Sequence, residues 1–440
     1  LASEPPIDPA GASAMRSGHL RHTYALNDVP IALPPSTLAP RIFADLRQAM
    51  NAQPQAAFSA DALQSRLPNV GTTIFTVMSA LATERGAVNL GQGFPDFDCD
   101  PRIVDAVTQA MREGANQYPP MAGVLPLRQA ISSKIAAIYD HHYDADTEIT
   151  VTAGGTQGLL TAILAIVHPG DEVIVIEPNY DSYLPAIELA GGVPVFVTLE
   201  APDYALPFDR LAAAITPRTR AIMINTPHNP TGTIWRDADM RKLEAIVRDT
   251  QVLIVSDEVY EHMVYDGQRH ESVSRYPELA ARSLVVSSFG KTYHVTGWKI
   301  GYVAAPRALT AEFRKVHQFN VFTVNTPMQV GLARYMADPA PYLDLPAFYQ
   351  RKRDHFRAGL EGTRFRMLPS DGTYFQCVDY SAISGLPEAE FSKWLTTEIG
   401  VAAIPVSAFY HEPHESGIVR FCFAKKESTL DEALGRLSKL

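Results

Sequence analysis

The stretch Leu284-Val-Val-Ser-Ser-Phe-Gly-Lys-Thr-Tyr-His-Val-Thr-Gly-Trp-Lys-Ile-Gly-Tyr-Val303 decides how the rest of the chain is read. A β-branched run from Leu284 to Val286 predicts a buried strand. It breaks at Ser287, Ser288 and Gly290, presents Lys291, and a second apolar run follows at Ile300 to Val303. A lysine held between two buried strands loses solvation, so its amine is neutral more often, and neutral amines attack aldehydes. Lys299, further along, supplies a second cation for an anionic group of the same ligand. Gly290-Lys291-Thr292 looks like the end of a phosphate-binding P-loop, but that motif needs glycine at 285, where Val285 stands. Alone, the stretch leaves a surface lysine as the commoner outcome. Its place among other motifs decides otherwise.

Outward from it, apolar runs at Val173 to Ile176, Pro194 to Val197, Ala221 to Ile224 and Val252 to Val255 are separated by helical patterns such as Met240 to Arg248. Continuous apolar strands between helices predict an α/β sheet, largely parallel and covered on both faces. Ligands of such sheets sit beyond the carboxyl ends of the strands. Asn229 follows one strand, Asp257 and Tyr260 the next, and Lys291 another, so the candidates converge there. Upstream, the strand Ile149 to Thr152 runs into Gly154-Gly-Thr-Gln-Gly158 and the helix Leu159 to Val167, which aims backbone N–H groups at phosphate. Gly91-Gln-Gly93 begins like a dinucleotide fingerprint, yet Asp96 stands where the third glycine belongs, which excludes nicotinamide. Beyond about Val330, the pattern of helix (Tyr349 to Leu360), strand (Thr373 to Val378), helix (Glu388 to Glu398) and strand (Val419 to Phe423) predicts a smaller α+β unit.

The 440 residues leave room for two or three domains, and 38 basic against 48 acidic residues give a net charge of −10. That balance argues against nucleic acid or an acidic membrane as partner, so an anionic ligand needs a local cluster of positive groups. No apolar run approaches the length of a membrane span. Cys99, Cys377 and Cys422 are widely spaced and form no C-x-x-C, which reads as buried thiols in a reducing, cytoplasmic setting. His141-His142, near Asp144 and Asp146, has no further ligand set in register; a solvated pair is expected and no metal. Residues 1–66, rich in Pro and Ala with one helical pattern at Arg41 to Met50, are expected to be a disordered or weakly structured extension, or upstream sequence included by an uncertain start site.

Asn225-Thr-Pro-His-Asn-Pro-Thr-Gly232, Ser256-Asp-Glu-Val-Tyr260 and Ser288-Phe-Gly-Lys-Thr292 occur in that order, each after an apolar strand. With these motifs the chain, from about Leu67 to Leu440, resembles the fold-type I pyridoxal-phosphate-dependent aminotransferases of class I/II, on the branch holding methionine, kynurenine and glutamine-phenylpyruvate aminotransferases. The resemblance implies an α/β fold with a mostly parallel seven-stranded sheet. It divides the chain into an N-terminal arm with part of the small domain (67–100), a large cofactor-binding domain (101–328) and a small C-terminal α+β domain (329–440). It implies pyridoxal 5′-phosphate as cofactor, amino acid and 2-oxo acid substrates, and a homodimer with shared active sites; no nucleic acid or membrane partner is expected.

Carried over position by position, the resemblance makes Lys291 the lysine that bonds the cofactor and then moves the Cα proton, and Asp257 the carboxylate facing the pyridine nitrogen. Tyr260 and Asn229 match the groups that bond the ring's phenolic oxygen, and Tyr180 the ring stacked on the pyridine. Gly155, Thr156, Ser288 and Lys299 match the phosphate cup, which Tyr118 reaches from a neighbouring subunit. Arg420 matches the clamp on the substrate α-carboxylate, a task suited to a planar fork, with Gly93, Phe94 and Asn229 beside it. Two positions depart from many relatives: Lys299, where some have arginine, and Gly155, where many have alanine. Plainer roles compete: a helix cap for Asp257, a strand-edge surface charge for Arg420, rim or core aromatics for Tyr118 and Tyr180.

The expected reaction is ping-pong transamination. Methionine, aromatic amino acids or glutamine are the expected donors, from the branch of the resemblance and from Phe94, Phe319 and Phe322 flanking the motifs. Two other readings share the chemistry or the fold: a C–S β-lyase expelling a thiol, and a transcription regulator, which needs a basic helix-turn-helix ahead of residue 67.

Overall fold

The computed structural model describes residues 63–440. The expected extension 1–66, with its helical pattern at Arg41 to Met50, lies outside these residues except for 63–66. In chain order the strands are β1 (Val88–Asn89), β2 (Ile149–Thr152), β3 (Glu172–Glu177), β4 (Val193–Thr198), β5 (Thr219–Asn225), β6 (Leu253–Asp257), β7 (Ser283–Ser288) and β8 (Gly301–Ala304), then β9 (Arg366–Met367), β10 (Phe375–Asp379), β11 (Val401–Ala402), β12 (Ile404–Pro405) and β13 (Ile418–Cys422). β2 to β8 form a seven-stranded sheet in the order β2-β8-β7-β6-β5-β3-β4. Its pairs are parallel except that β8 runs antiparallel to both neighbours. The fold is the expected α/β class with a mostly parallel seven-stranded sheet.

The β-branched strands suit this sheet because both of its faces are covered. Successive side chains alternate sides: Val173 and Val175 join one core with Leu159, Ile163 and Phe313, whereas Ile174 and Ile176 join another with Met240, Leu243 and Val247. Helices Gly155–Ile166 and Arg307–Asn320 supply the first group and helix Asp237–Val247 the second. Nearer the C-terminus, β12-β13-β10-β9 make an antiparallel sheet over a core of Phe356, Phe391, Phe421 and Leu430, and β1 pairs in parallel with β11.

Three local expectations are amended. The helix expected from Leu159 starts at Gly155, so the glycine turn is itself the first helical turn. Lys291 sits on a one-turn helix, Phe289–Thr292, capped by Ser288, whose hydroxyl accepts from Gly290 N at 3.2 Å. The helix from Glu388 ends at Trp394 and widens into a π-turn, Leu395–Ile399.

A buried ion pair stands behind β7. Lys134 Nζ donates to Glu261 Oε1 at 2.6 Å and to Tyr302 Oη at 2.8 Å, while Ser287 and Tyr139 donate to the same carboxylate. Burial pushes the Glu261 carboxyl up, but the Lys134 ammonium and these hydrogen bonds reverse the shift and hold it well below the usual range. A carboxyl depressed on folding contributes stability at neutral pH that is lost as pH falls below the ordinary carboxylate range. Lys134→Met strands the charge of Glu261 and is expected to cost about 3–5 kcal/mol in urea unfolding at pH 7, with a smaller difference from wild type at acid pH.

Candidate active site

Strands β5, β6 and β7 end side by side, and the loops after them wall a cavity of about 280 Å³. Asp257 is the last residue of β6 and is buried. Burial pushes its carboxyl up to about 6, against hydrogen bonds from Tyr183 and Val259 N and the nearby charge of Lys291. Tyr183 Oη donates to Asp257 Oδ2 at 2.7 Å, and Val259 N to Oδ1 at 3.3 Å. The cap-like contact from Val259 N is therefore real, and the same carboxylate also lines the cavity.

Lys291 Nζ donates to Tyr374 Oη at 2.9 Å and to the Gly93 carbonyl at 3.2 Å. Burial lowers its amine to about 8, helped by the positive charges of Arg420 and Lys299 and opposed by Cys422 and Asp257. A larger fraction of neutral amine at physiological pH follows. The buried Tyr260 ring lies 5.6 Å from Nζ, and the same cavity wall carries Asn229. Asn225 ties these loops together, accepting from Asn229 N at 2.7 Å and donating to the Asp257 carbonyl at 2.9 Å.

At the far end the N-terminus of helix Gly155–Ile166 opens on the cavity with Gly155 and Thr156, joined by Ser288 and Lys299. Gly154, at φ +82, keeps this corner clear, since a Cβ there would stand 3.2 Å from Lys299 Nζ. A Cβ on Gly155 would lie 3.0 Å from a Val259 methyl, so the departure from alanine matches a tightly packed neighbour. The Tyr180 ring lines the cavity, with its hydroxyl 3.4 Å from Thr156 Oγ1.

Arg420 comes from β13, an interior strand, and is only 1% exposed; the surface-charge alternative fails. Its guanidinium lies 3.8 Å from the Phe375 ring centre, 5.0 Å from Phe409 and 5.5 Å from Phe75. It donates to Asn229 Oδ1 at 2.6 Å and to the Gly91 carbonyl at 3.2 Å, while Nε has no partner among the described residues. No carboxylate among the described residues lies within ion-pair distance; Asp181, on the cavity wall, acts on it from further away. A buried guanidinium without a counter-charge is costly, and a carboxylate entering the cavity relieves that cost.

Gly93 lines the cavity as expected, but Phe94 does not: it is 46% exposed, its ring 5.1 Å from Lys425 Nζ, outside the cavity. Tyr118, 81% exposed, packs edge-on against Phe322 away from the site, and Phe319 and Phe322 are likewise exposed. Sequence reasoning missed several residues of the site: Phe75, Gln92, Asp181 and Phe375 line the cavity, and Tyr183 and Tyr374 bond the two central ionisable groups. Tyr183 stands close to Tyr180 in sequence and meets its ring edge-on, with centres 5.8 Å apart. Tyr374 had no signal in the sequence. Among the described residues no group of three His, Cys, Asp or Glu side chains stands close enough to hold a metal; His142 is exposed and His141 packs on Tyr143.

A family model described as aminotransferase class I and II matches residues 85–437. This chain belongs to that family. It is 50% identical over 378 residues to the methionine aminotransferase of Escherichia coli (strain K12), covering 86% of this chain and 98% of that protein. It is 34% identical to kynurenine–oxoglutarate transaminase 1 of Rattus norvegicus, over 85% of this chain and 97% of the relative. Among solved structures, an Escherichia coli protein reported to have a methionine aminotransferase function superposes with a TM-score of 0.85 at 50% identity, covering 86% of this chain and 99% of that one. The N-succinyldiaminopimelate aminotransferase of Mycobacterium tuberculosis superposes with a TM-score of 0.83 at 41% identity, covering 86% and 100%.

The protein is a pyridoxal 5′-phosphate-dependent aminotransferase acting on amino acid and 2-oxo acid substrates. The donor set of the cavity fits that cofactor: a lowered amine, a buried carboxylate and a helix N-terminus beside a cation line one small space. Tyr183→Phe removes a donor that favours the charged form of Asp257. The aminotransferase is then expected to lose cofactor at higher pH than wild type, measured as absorbance released on gel filtration between about pH 5 and 8, a range bracketing the Asp257 value.

Proposed function

We propose that this aminotransferase takes neutral donors, methionine first with aromatic amino acids and glutamine, and that Lys291, Asp257, Tyr260, Asn229 and Arg420 carry its chemistry. The observation that carries the reading is Arg420: a fully buried guanidinium, boxed by three aromatic rings and lacking an ion pair among the described residues, opening on the same cavity as Lys291. Phe75, Phe375 and Gln92 around it offer apolar surface and one neutral amide, which favours uncharged side chains. The relatives named for methionine and kynurenine support the same donor class.

When bound, pyridoxal phosphate supplies an aldehyde carbon for amines and a ring that accepts electron density from the substrate Cα. In this reading Asp257 holds positive charge at the ring nitrogen, and its burial among apolar strands strengthens that pairing. Arg420 fixes the donor's α-carboxylate, which sets Cα within reach of Lys291. Lys291 Nζ would take the proton from the donor's Cα and later release it, and its lowered amine suits both acceptance and release near neutrality. Gly155, Thr156, Ser288 and Lys299 hold the phosphate at the helix N-terminus. Tyr180, which lines the same cavity, would help hold the cofactor ring.

A homodimer is part of the proposal. Tyr118, Phe319 and Phe322 are large aromatic side chains exposed on one copy, and a second copy gives them apolar cover. Among the described residues no helix is long and apolar enough to cross a membrane, and the three cysteines are unpaired; a cytoplasmic setting is proposed on the latter ground.

A panel of amino acids against several 2-oxo acids tests the donor class, with methionine expected to give the highest kcat/KM. Pyruvate and thiol released from cystathionine with no acceptor present would instead support a β-lyase. Lys291→Ala is expected to abolish turnover, and unchanged turnover would remove the assignment. Arg420→Ala is expected to lower kcat/KM for every donor by at least about 30-fold, the loss of a buried charge-assisted contact of roughly 2 kcal/mol or more. Damage confined to some donors would contradict a carboxylate clamp.

A further inference from the structure

Tyr374 belongs to none of the motifs 225–232, 256–260 and 288–292, yet among the described residues its hydroxyl is the side-chain group bonded to the Lys291 amine. Tyr374 is fully buried on the loop entering β10, in van der Waals contact with Tyr260 (ring centres 5.2 Å), Phe375 (4.9 Å) and Tyr349 (5.7 Å). Its hydroxyl donates to the Gly93 carbonyl, which also accepts from Lys291 Nζ, so amine, hydroxyl and carbonyl close a three-membered ring of contacts. The carbonyl is itself fixed. Gly93 packs against Phe375, where a Cβ would come within 3.0 Å of the ring, and the carbonyls on either side are held by Lys425, at 3.4 Å from Gln92 and 2.8 Å from Phe94.

The other ionisable groups that act on Lys291 are Asp257, Arg420, Lys299 and Cys422, and none of them bonds Nζ. Among the described residues, Tyr374 and Gly93 are the groups that bond and orient it. These contacts describe the unbonded amine, the form in which a lysine acts as a proton carrier. We propose that Tyr374 is a positioning residue that, with the Gly93 carbonyl, seats the free Lys291 amine between its two duties. The proposal rests on the assignment of Lys291 above and adds to it the group that aims the amine.

When Nζ is an ammonium, it donates to both oxygens and the tyrosine proton stays on Gly93. When Nζ is neutral, the tyrosine proton turns to the nitrogen lone pair and an N–H keeps the carbonyl. In both states the nitrogen has one position, and when the neutral amine takes the Cα proton the tyrosine proton turns back to Gly93, with no net proton gained or lost by Tyr374. Removing the hydroxyl frees the lone pair and the side chain together. The amine becomes more reactive toward small reagents and worse aimed at Cα.

The test uses holoenzyme in its aminated form, prepared with excess methionine and no 2-oxo acid, in which Lys291 is free. Acetylation by an N-hydroxysuccinimide ester, read on the Lys291 peptide by mass spectrometry, is expected to be at least about threefold faster in Tyr374→Phe, as one hydrogen bond on the nitrogen is lost. With α-deuterated methionine, the kinetic isotope effect on the donor half-reaction is expected to rise, and kcat to fall about tenfold with KM nearly unchanged, because a poorly aimed base slows proton transfer but not binding. Phenylalanine keeps the ring that packs on Tyr260 and Tyr349, and the bound-cofactor absorbance band confirms the fold. Tyr349→Phe is the matched control: it deletes a neighbouring buried hydroxyl that has no partner among the described residues. Wild-type labelling and isotope effect in folded Tyr374→Phe, or the same changes in Tyr349→Phe, overturn the proposal. An active Lys291→Ala enzyme would instead overturn the assignment beneath it.

Discussion

Removing charge from water around one small cavity is the constraint on which the site depends. Lys291, Asp257 and Arg420 all lose hydration there, and each responds in the direction burial dictates: the lysine and arginine are pushed down and the carboxyl up. None of the three is fully compensated by the protein. Asp257 has Tyr183 and a backbone N–H, Lys291 a hydroxyl and a carbonyl, Arg420 an amide, a carbonyl and aromatic faces. A site left short of counter-charge is prepared for a ligand that brings a cationic ring nitrogen, an electrophilic carbon and a carboxylate. The glutamate of the Lys134–Glu261 pair behind β7 shows the contrast: it too is buried, but every partner is supplied by the chain, and it serves the fold.

The polar groups also join the two sheets. Asn229, after β5 of the seven-stranded sheet, accepts from Arg420 of β13 in the antiparallel sheet, and Asn225 passes the contact on to the Asp257 backbone. The segment Gly91–Phe94 adds a second tie, its successive carbonyls accepting from Arg420, Lys425, Lys291 with Tyr374, and Lys425 again. Arg420 and Lys291, the groups proposed to meet the donor's carboxylate and its Cα, are thereby mounted on one connected frame. Catalytic geometry of this kind tolerates little displacement, because proximity gains vanish with small misplacements of the base.

Much of this was legible in the chain as written. β-branched runs separated by helical patterns are enough to predict a covered, mostly parallel sheet, since only a strand buried on both faces dispenses with an alternating polar side. The ends of β5, β6 and β7 carry Asn229, Asp257, Tyr260 and Lys291 in order, and parallel strands put all their carboxyl ends at one edge, so convergence followed from topology alone. Motif resemblance then supplied Gly155, Thr156, Tyr180, Ser288, Lys299 and Arg420, all of which line the cavity.

Other features required the folded chain. Phe94 neighbours Gly93 in sequence, yet its ring turns out to the ammonium of Lys425 while Phe75 and Phe375, remote in sequence, take the wall. Tyr374 meets Lys291 across 83 residues of sequence, and Arg420 meets Asn229 across 191. Local pattern reports which face of an element is apolar and where a chain turns. It carries no record of which distant side chains share a desolvated space, because that is set by how sheets pack, and only there do burial and hydrogen bonding convert an ordinary lysine, tyrosine or arginine into part of a site.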